Sequence, residues 1–351
     1  MAEEKGVMNQ DTGMSKERKV RLADIAQKFG VSTVTVHNAL CGRKGVSDEM
    51  RAKIVAAAKE LGYEAGTASG KKRISNESWK IGVIIAETYL AQYATYYWKM
   101  YQELALMAAE KRCYTIIEVL KKEAETETFE IPEAIRETSV DGMIVIGEID
   151  KRYIQKLKNY TKLPIIFLDF YDSEIAKDCV IADNFYGMYQ MTELLFGQGM
   201  DQLAFVGSVY ATSSIMDRYC GFMKSLMEHH QTLPDEWLIE DRDETGHIEV
   251  ELPRCMPQAF ACNCDQTAGI LIAKLEKEGY RVPEDISVIG FDNFMIPGYS
   301  DTKVTTYEVD MKAMTKIALD KIIKQIQTPG RSRSMSIVPG HIRWKNSVKI
   351  S

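Results

Sequence analysis

One short stretch restricts this chain more than any other, residues 21–40, RLADIAQKFGVSTVTVHNAL. Leu22, Ile25, Ala26 and Phe29 recur at helical spacing, Gly30 breaks the run, and Ser32 is placed to cap a second helix carrying Val36, Ala39 and Leu40 as its apolar stripe. Two short helices joined by a Gly-containing turn cross steeply, and the second presents its N-terminal turn outward toward a DNA major groove. Thr33, Val34, Thr35, His37 and Asn38 then face bases or phosphates. Leu22 and Ser32, at the leading ends of the two helices, are counted with them, and Arg43 and Lys44 follow as phosphate contacts. A third helix is expected over 48–61 with Ile54, Val55, Ala58 and Leu61 turned inward, because two such helices cannot bury a core and three can. Any Gly-broken pair of amphipathic helices gives the same outline, so spacing alone leaves the assignment open.

The pattern continues through GVSTVTV, GRKGVS and AAAKELGYEAG. In this order and spacing the segment resembles the headpiece of the lactose-repressor (LacI/GalR) family, with its L-x-D-[VI]-A, GVS-x-x-TVS, VS-x-x-[TM]-R and LGY-x-P-N motifs. The resemblance implies an all-α three-helix DNA-binding head over 19–66, double-stranded operator DNA as partner, and a homodimer on a pseudo-palindromic site.

The formal charge of −6 taken alone argues against a nucleic-acid binder. Its distribution argues the other way. Between Lys16 and Arg73 thirteen Lys/Arg face six Asp/Glu, a local +7, which leaves −11 on residues 74–351. Positive charge is gathered where phosphates would be neutralised. Seven cysteines without paired spacing suit a reducing cytosol, no apolar run reaches membrane-spanning length, and MAEEKGVMNQDTG lacks a signal-peptide core. A cytoplasmic protein with a disordered leader over 1–18 is expected.

Residues 67–79 are rich in Gly, Ser and Lys and read as a flexible basic linker. Here the family carries P-N-x-x-A-R-x-L, a hinge helix that wedges a leucine into the minor groove. Counted from Tyr63, its Pro and Asn fall on Ala65 and Gly66, its Ala-Arg pair on Ser69 and Gly70, and its Leu on Lys72. The wedge is therefore not carried over. Lys71, Lys72 and Arg73 are expected to act as a basic arm on DNA, with a plain solvated linker as the competing account.

Beyond the linker, short apolar runs at 81–86, 114–119, 142–146 and 165–168 read as strands buried on both faces, with helical patterns at 97–111, 129–138 and 151–159 between them. A second series alternates strands at 180–182, 203–206, 259–262 and 286–291 with helices at 187–197, 218–229 and 266–279. Two βαβ series predict an α/β body of two doubly wound parallel-sheet lobes, the first from 80–182 and 304–329, the second from 183–303 and 330–351. The segments 180–187, 195–207, 218–222, 279–292 and TTYEVDM at 305–311 resemble the type I periplasmic-binding-protein body of the same family.

Ligands in open α/β sheets sit at strand ends. Asp169 ends the strand IIFLD, Asp292 ends VIGFD, and Arg218 opens a helix after GSVYATSSIMD. Two carboxylates accepting from vicinal hydroxyls, with a donating Arg, suit a sugar, and by resemblance these positions match the family's sugar-binding Asp, Asp and Arg. An Asp at a strand end also caps helices or pairs with neighbours, and Asp183 and Asn184 fit such loop-fixing roles better than ligand contacts. Aligned from Pro283 backward, the family's binding Asn falls on Cys264, leaving Asn263 as a neighbouring substitute. Cys262, Cys264 and Cys255 lack His partners at useful spacing, so no metal is assigned. Tyr89 and Tyr93 are stacking candidates for a sugar face, as is Trp237, whereas Tyr97, Tyr101, Leu104 and Ala108 share one helical face and fit a core or dimer interface.

Enzyme readings find no support, because no G-x-G-x-x-G or G-x-x-x-x-G-K-[ST] follows a strand and the five histidines are scattered. The resulting expectation is a DNA-binding transcriptional regulator, a repressor, with no cofactor and no membrane partner, controlled by a sugar or glycoside effector between its lobes. A sugar receptor without a DNA role, or an enzyme on a doubly wound fold, are the alternatives. Where the family carries Ser-Arg this chain has His37-Asn38, which shifts the expected base preference from guanine toward adenine.

Overall fold

The computed structural model describes residues 20, 22–40, 45–61, 78–90, 95–137, 139–243, 246–295, 298 and 301–350. The leader over 1–18, most of the linker, and the site candidates Arg43, Lys44, Lys71, Lys72, Arg73 and Tyr93 lie outside the described residues. The chain divides into two compact units, Met1–Ser75 and Asn76–Ser351.

The first unit holds α1 (Leu22–Phe29), α2 (Thr33–Leu40) and α3 (Asp48–Glu60). Gly30 turns the chain at φ +62°, a conformation costly for residues with a Cβ. Ser32 Oγ then accepts from the Thr35 amide at 3.0 Å, and Ser47 caps α3 at the Met50 amide. Ile25, Ala26, Val36, Ala39, Ile54 and Ala58 form the core. The third helix departs from expectation: Ala57 is buried, while Val55 and Leu61 are 47% and 38% exposed. Once Ile54 faces inward, the helical period carries 57 and 58 with it and turns 55 away. Arg51 donates to the carbonyls of Asn38 and Ala39, satisfying the open end of α2.

The second unit contains two six-stranded sheets. The first is built from β1 (Lys80–Ala86), β2 (Tyr114–Leu120), β3 (Gly142–Ile146), β4 (Ile165–Leu168) and β5 (Cys179–Ala182). The second is built from β6 (Leu203–Val206), β7 (Leu238–Ile239), β8 (Ala259–Cys262), β9 (Ser287–Asp292) and β10 (Thr305–Glu308). Two late strands are shared out, β11 (Met335–Val338) to the first and β12 (His341–Arg343) to the second. The orders are β11-β5-β4-β3-β1-β2 and β12-β10-β9-β8-β6-β7, and only the β10–β12 pair is antiparallel among the named strand pairs.

Helices α4 (Tyr96–Glu110), α5 (Glu133–Arg136), α6 (Lys151–Tyr160), α7 (Asn184–Gly197), α8 (Ser213–Glu228), α9 (Asp265–Lys277) and α10 (Met311–Gln327) cover the sheets. Along β1, Ile81, Val83 and Ile85 join a cluster with Met100, Leu104 and Met314, while Ile84 and Ala86 join one with Ile135, Tyr153 and Leu157. Burial on both faces accounts for the unbroken apolar runs. The strand at 114–120 is the exception, an edge strand with Tyr114 64% and Val119 47% exposed.

The lobe boundaries near the C-terminus are corrected by the strand pairing. Residues 305–308, expected in the first lobe, pair with β9 in the second sheet, and 335–338, expected in the second lobe, pair with β5 in the first. The chain therefore passes between lobes three times, after β5, after β10 and after β11. The crossings adjoin: the Asp183 amide donates to Val338 O at 3.0 Å and the Gly340 amide to the Tyr307 hydroxyl at 2.7 Å. Gly340 is required there, because a Cβ would lie 2.1 Å from Glu308 O. Two helix limits also shift. The pattern at 129–138 yields helix only at Glu133–Arg136, and α8 begins at Ser213, where Thr212 caps it, so that Arg218 lies in its second turn instead of opening it.

Candidate functional site

In the head, Ser32, Thr33 and Val34 at the start of α2 are exposed, and Thr35, His37 and Asn38 are half-buried. Val34, 65% exposed, contributes nothing to the core and is free for an apolar contact such as a thymine methyl. Leu22 is half-buried and packs on the core at the start of α1.

In the body, a cleft of about 430 Å³ opens between the carboxyl ends of the two sheets. The first lobe contributes Tyr89, Tyr96, Tyr97 and Asp169, and the second contributes Thr212, Arg218, Arg242, Asn263, Cys264, Asp292 and Phe294. Asp169 follows β4 and Asp292 ends β9, each with a left-handed backbone at φ +64° and +94°. Such conformations cost a non-glycine residue about 1–3 kcal/mol and are kept where the surroundings or the function demand them.

Arg218 is almost fully buried and bonded on three sides. Its Nε donates to Asn184 Oδ1 at 2.9 Å, one terminal nitrogen to Asn263 O at 2.6 Å, and the other to Asp292 Oδ1 at 2.9 Å, with the guanidinium 4.0 Å from the centre of the Phe291 ring. A planar fork held this way has one orientation. Asn184, expected to fix a loop, instead holds this arginine, while Asp183 does cap α7.

Asp169 has a different environment. Tyr97 donates to its Oδ2 at 3.1 Å, but among the described residues Oδ1 is buried without a hydrogen-bond partner, as is the hydroxyl of Tyr96. Burial raises the Asp169 carboxyl to about 7 against the pull of Arg218. Burial also raises Asp292, with Arg218 opposing. The cleft thus offers a carboxyl that donates or accepts near neutrality, an unpartnered hydroxyl, and a fixed guanidinium.

Behind the cleft, Asp241 is fully buried and accepts from Arg242, Asn263 Nδ2 at 2.5 Å and Thr267 at 2.6 Å. Burial works to raise this carboxyl, yet Arg242 and these donors hold it down at about 2. Asn263 lines the cleft, but its amide is committed to Asp241 and Val206 O, so it is a wall and not a free reader of ligand. Cys264 sits at the cleft with its sulfur 3.2 Å from Thr267 Oγ1.

Several sequence candidates move. Tyr97, placed in a core or dimer face by its helical spacing, lines the cleft and bonds Asp169. Tyr89 lines the cleft but donates to Glu148 O and lies against Tyr97, 4.6 Å between ring centres. Trp237 bonds Cys255 O and packs beside the second-lobe core, outside the cleft lining. Tyr96, Arg242 and Phe294 carried no motif in the sequence. The density of tyrosines between residues 89 and 101 is the one sequence signal that could have pointed to Tyr96. The lobes are bridged beside the cleft by Glu148 Oε2 accepting from the Ser213 amide and by the Tyr171 hydroxyl donating to Asp217, each at 2.8 Å.

Residues 21–65 match the family description "Bacterial regulatory proteins, lacI family", and residues 192–348 match "Periplasmic binding protein-like domain". The chain is 23% identical over 337 residues to the HTH-type transcriptional repressor PurR of Aliivibrio salmonicida, covering 93% of this chain and 98% of the relative. It is 24% identical over 339 residues to the PurR of Photobacterium profundum, with the same coverage. In fold it is similar to the lac repressor dimer bound to operator and the anti-inducer ONPF, with TM-score 0.63, 20% identity, and 95% and 100% of the two chains covered. It is similarly close to the CelR–cellobiose complex, with TM-score 0.63, 16% identity, and 94% and 100% covered. A three-helix head with an outward α2, followed by two doubly wound lobes around a polar cleft, accounts for both family matches, and the chain pairs a lacI-family regulatory domain over 21–65 with a periplasmic-binding-protein-like domain over 192–348.

Proposed function

We propose that this regulator acts as a repressor whose hold on operator DNA is set by a small, neutral, hydroxyl-rich molecule in the interlobe cleft, a sugar or glycoside. The supporting observation is the pair of buried, unpartnered atoms, Asp169 Oδ1 and the Tyr96 hydroxyl, beside the fixed Arg218–Asp292 pair. Leaving such atoms without partners costs about 1–3 kcal/mol each, and a ligand hydroxyl between them removes that cost. Ser32, Thr33, Val34, Thr35, His37 and Asn38 contact DNA, with Leu22 at the edge of the interface. Arg43, Lys44 and the Lys71–Lys72–Arg73 arm supply phosphate contacts. Two copies related by two-fold symmetry read two half-sites.

Regulation requires unequal ligand affinity for two lobe arrangements. The Glu148–Ser213 and Tyr171–Asp217 bridges belong to the arrangement seen here and would break on opening. A planar heterocycle is the second reading, favoured by the Tyr96 and Phe294 rings that meet edge to face with centres 6.0 Å apart. A thermal-shift screen of the full chain with mono- and disaccharides, glycosides and nucleobases tests both. Stabilisation by a sugar that is lost in Asp292→Asn is the expected result. Stabilisation by nucleobases alone transfers the assignment to the second reading, and no response to either class refutes both.

A further inference from the structure

At the opposite pole of the first sheet lies a second cavity, of about 520 Å³. It opens where β3, β4 and β5 begin, beside the C-terminal ends of α6 and α10. Five cations line it, Lys158, Lys162, Lys177, Arg331 and Arg333, against two carboxylates, Asp141 and Asp178.

Both carboxylates are already occupied. Asp178 accepts from Lys321 and Gln325, each at 2.9 Å, and Asp141 accepts from the Lys80 amide at 2.7 Å. Lys158 donates to Ile175 O at 2.8 Å. Among the described residues, no ion pair or hydrogen bond holds the side chains of Lys162, Lys177, Arg331 or Arg333. The two helix C-termini add roughly half a negative charge each, which does not offset the surplus of cations. Crowding is felt within the cluster: burial, then Arg333 and Lys177, lower the Lys158 ammonium. This surplus stands on a body whose remaining charge is strongly acidic, so it is not a general property of the surface.

We propose that this basin is a second ligand site, distinct from the interlobe cleft, that takes a small organic anion of the phosphate-ester class. Its volume falls within the range of small-molecule sites. Leu163, Pro164, Phe167 and Ile326 give it an apolar floor for an organic moiety, and Arg331 and Arg333 on the β11 approach supply forked donors that match phosphate oxygens. A concave basin admits a small anion into its depth, whereas a DNA backbone would reach only the rim. Strand β4 runs from Ile165 in the basin to Leu168, whose neighbour Asp169 is in the cleft, so one short rigid element spans the two sites.

The test is calorimetric titration of the full chain with inorganic pyrophosphate at fixed ionic strength, comparing the native protein with Lys177→Ala/Arg333→Ala and with the charge-retaining Lys177→Arg/Arg333→Lys. Both substituted side chains are exposed, and matching melting curves without ligand establish that the variants fold. Saturable binding at one site per chain is expected, weakened at least about tenfold in the alanine pair (about 1.4 kcal/mol) and largely kept in the charge-retaining pair. Absence of saturable binding, or equal affinity in all three proteins, overturns the proposal. So does binding that duplex DNA displaces and the alanine pair leaves unchanged, since that places the anion on the head.

Discussion

Replacing Asp169 by Asn tests whether the cleft carboxyl is neutral in the folded protein. Asn has the shape of the protonated acid and can still accept from Tyr97, so the substitution removes a titration and little else. Burial lifts the Asp169 carboxyl from 3.8 to about 7. The folded state therefore holds this proton more tightly than the unfolded chain does. The stabilisation is complete below the unfolded value near 4, and it is lost as pH rises through about 7. At 1.36 kcal/mol per pH unit over roughly three units, the loss approaches about 4 kcal/mol. Other buried carboxyls titrate too, Asp292 and Asp265 among them, so the informative quantity is the difference between the two proteins at each pH. Urea unfolding followed by tryptophan emission measures it for the body alone, because Trp79, Trp98, Trp237 and Trp344 all lie beyond residue 75. Near pH 4.5 the two stabilities should be close, and by pH 7.5 the Asn variant should be more stable by a few kcal/mol. A flat difference curve between those limits means that Asp169 is ionised in the folded state and that burial does not neutralise it.

Arg218→Ala should cost about 3–5 kcal/mol, because it leaves Asp292 buried without its partner. Adding Asp292→Asn should return part of that loss in a double-mutant cycle, and strictly additive effects would refute the coupling. Gly221→Ala places a Cβ 2.1 Å from Phe185 O between α7 and α8, and should lower the urea midpoint of the body by the equivalent of at least about 1–3 kcal/mol. An unchanged midpoint would mean that the two helices part easily. Selection of binding sites from random duplex DNA should return adenine opposite residue 38, and Asn38→Arg should move that position to guanine. Guanine selected by the native protein would show that Asn38 does not read a base there.

Much of this architecture was legible because local and global demands coincide in it. Strands such as 81–86 and 142–146 are buried on both faces and read as continuous apolar runs, and Gly30 and Ser32 announce the turn of the head. The errors arise where a residue serves something distant in sequence. Tyr97 shares a helical face with Leu104 and so reads as core, yet its hydroxyl reaches Asp169, 72 residues away. Asp241 and Arg242 sit in a segment without periodicity, and their importance comes only from meeting Asn263 and Thr267 in space. Strands 335–338 and 341–343 are four and three residues long with mixed exposure, too little pattern to show which sheet each would join. Asp169, Arg218 and Asp292 were identifiable as a set because they stand at strand ends or beside a recognisable motif, although only the structure places Arg218 in the second turn of its helix and not at its start.

The exchange of late strands between lobes sets an order of events during synthesis. A ribosome releases β1 to β5 first, but the edge of their sheet stays open until β11 emerges, after nearly all of the second lobe has been made. An exposed parallel edge invites pairing with other chains. A chain truncated before residue 335 should therefore leave its first sheet unfinished and prone to aggregate, and a peptide spanning 335–338 added in trans would have its docking place already formed.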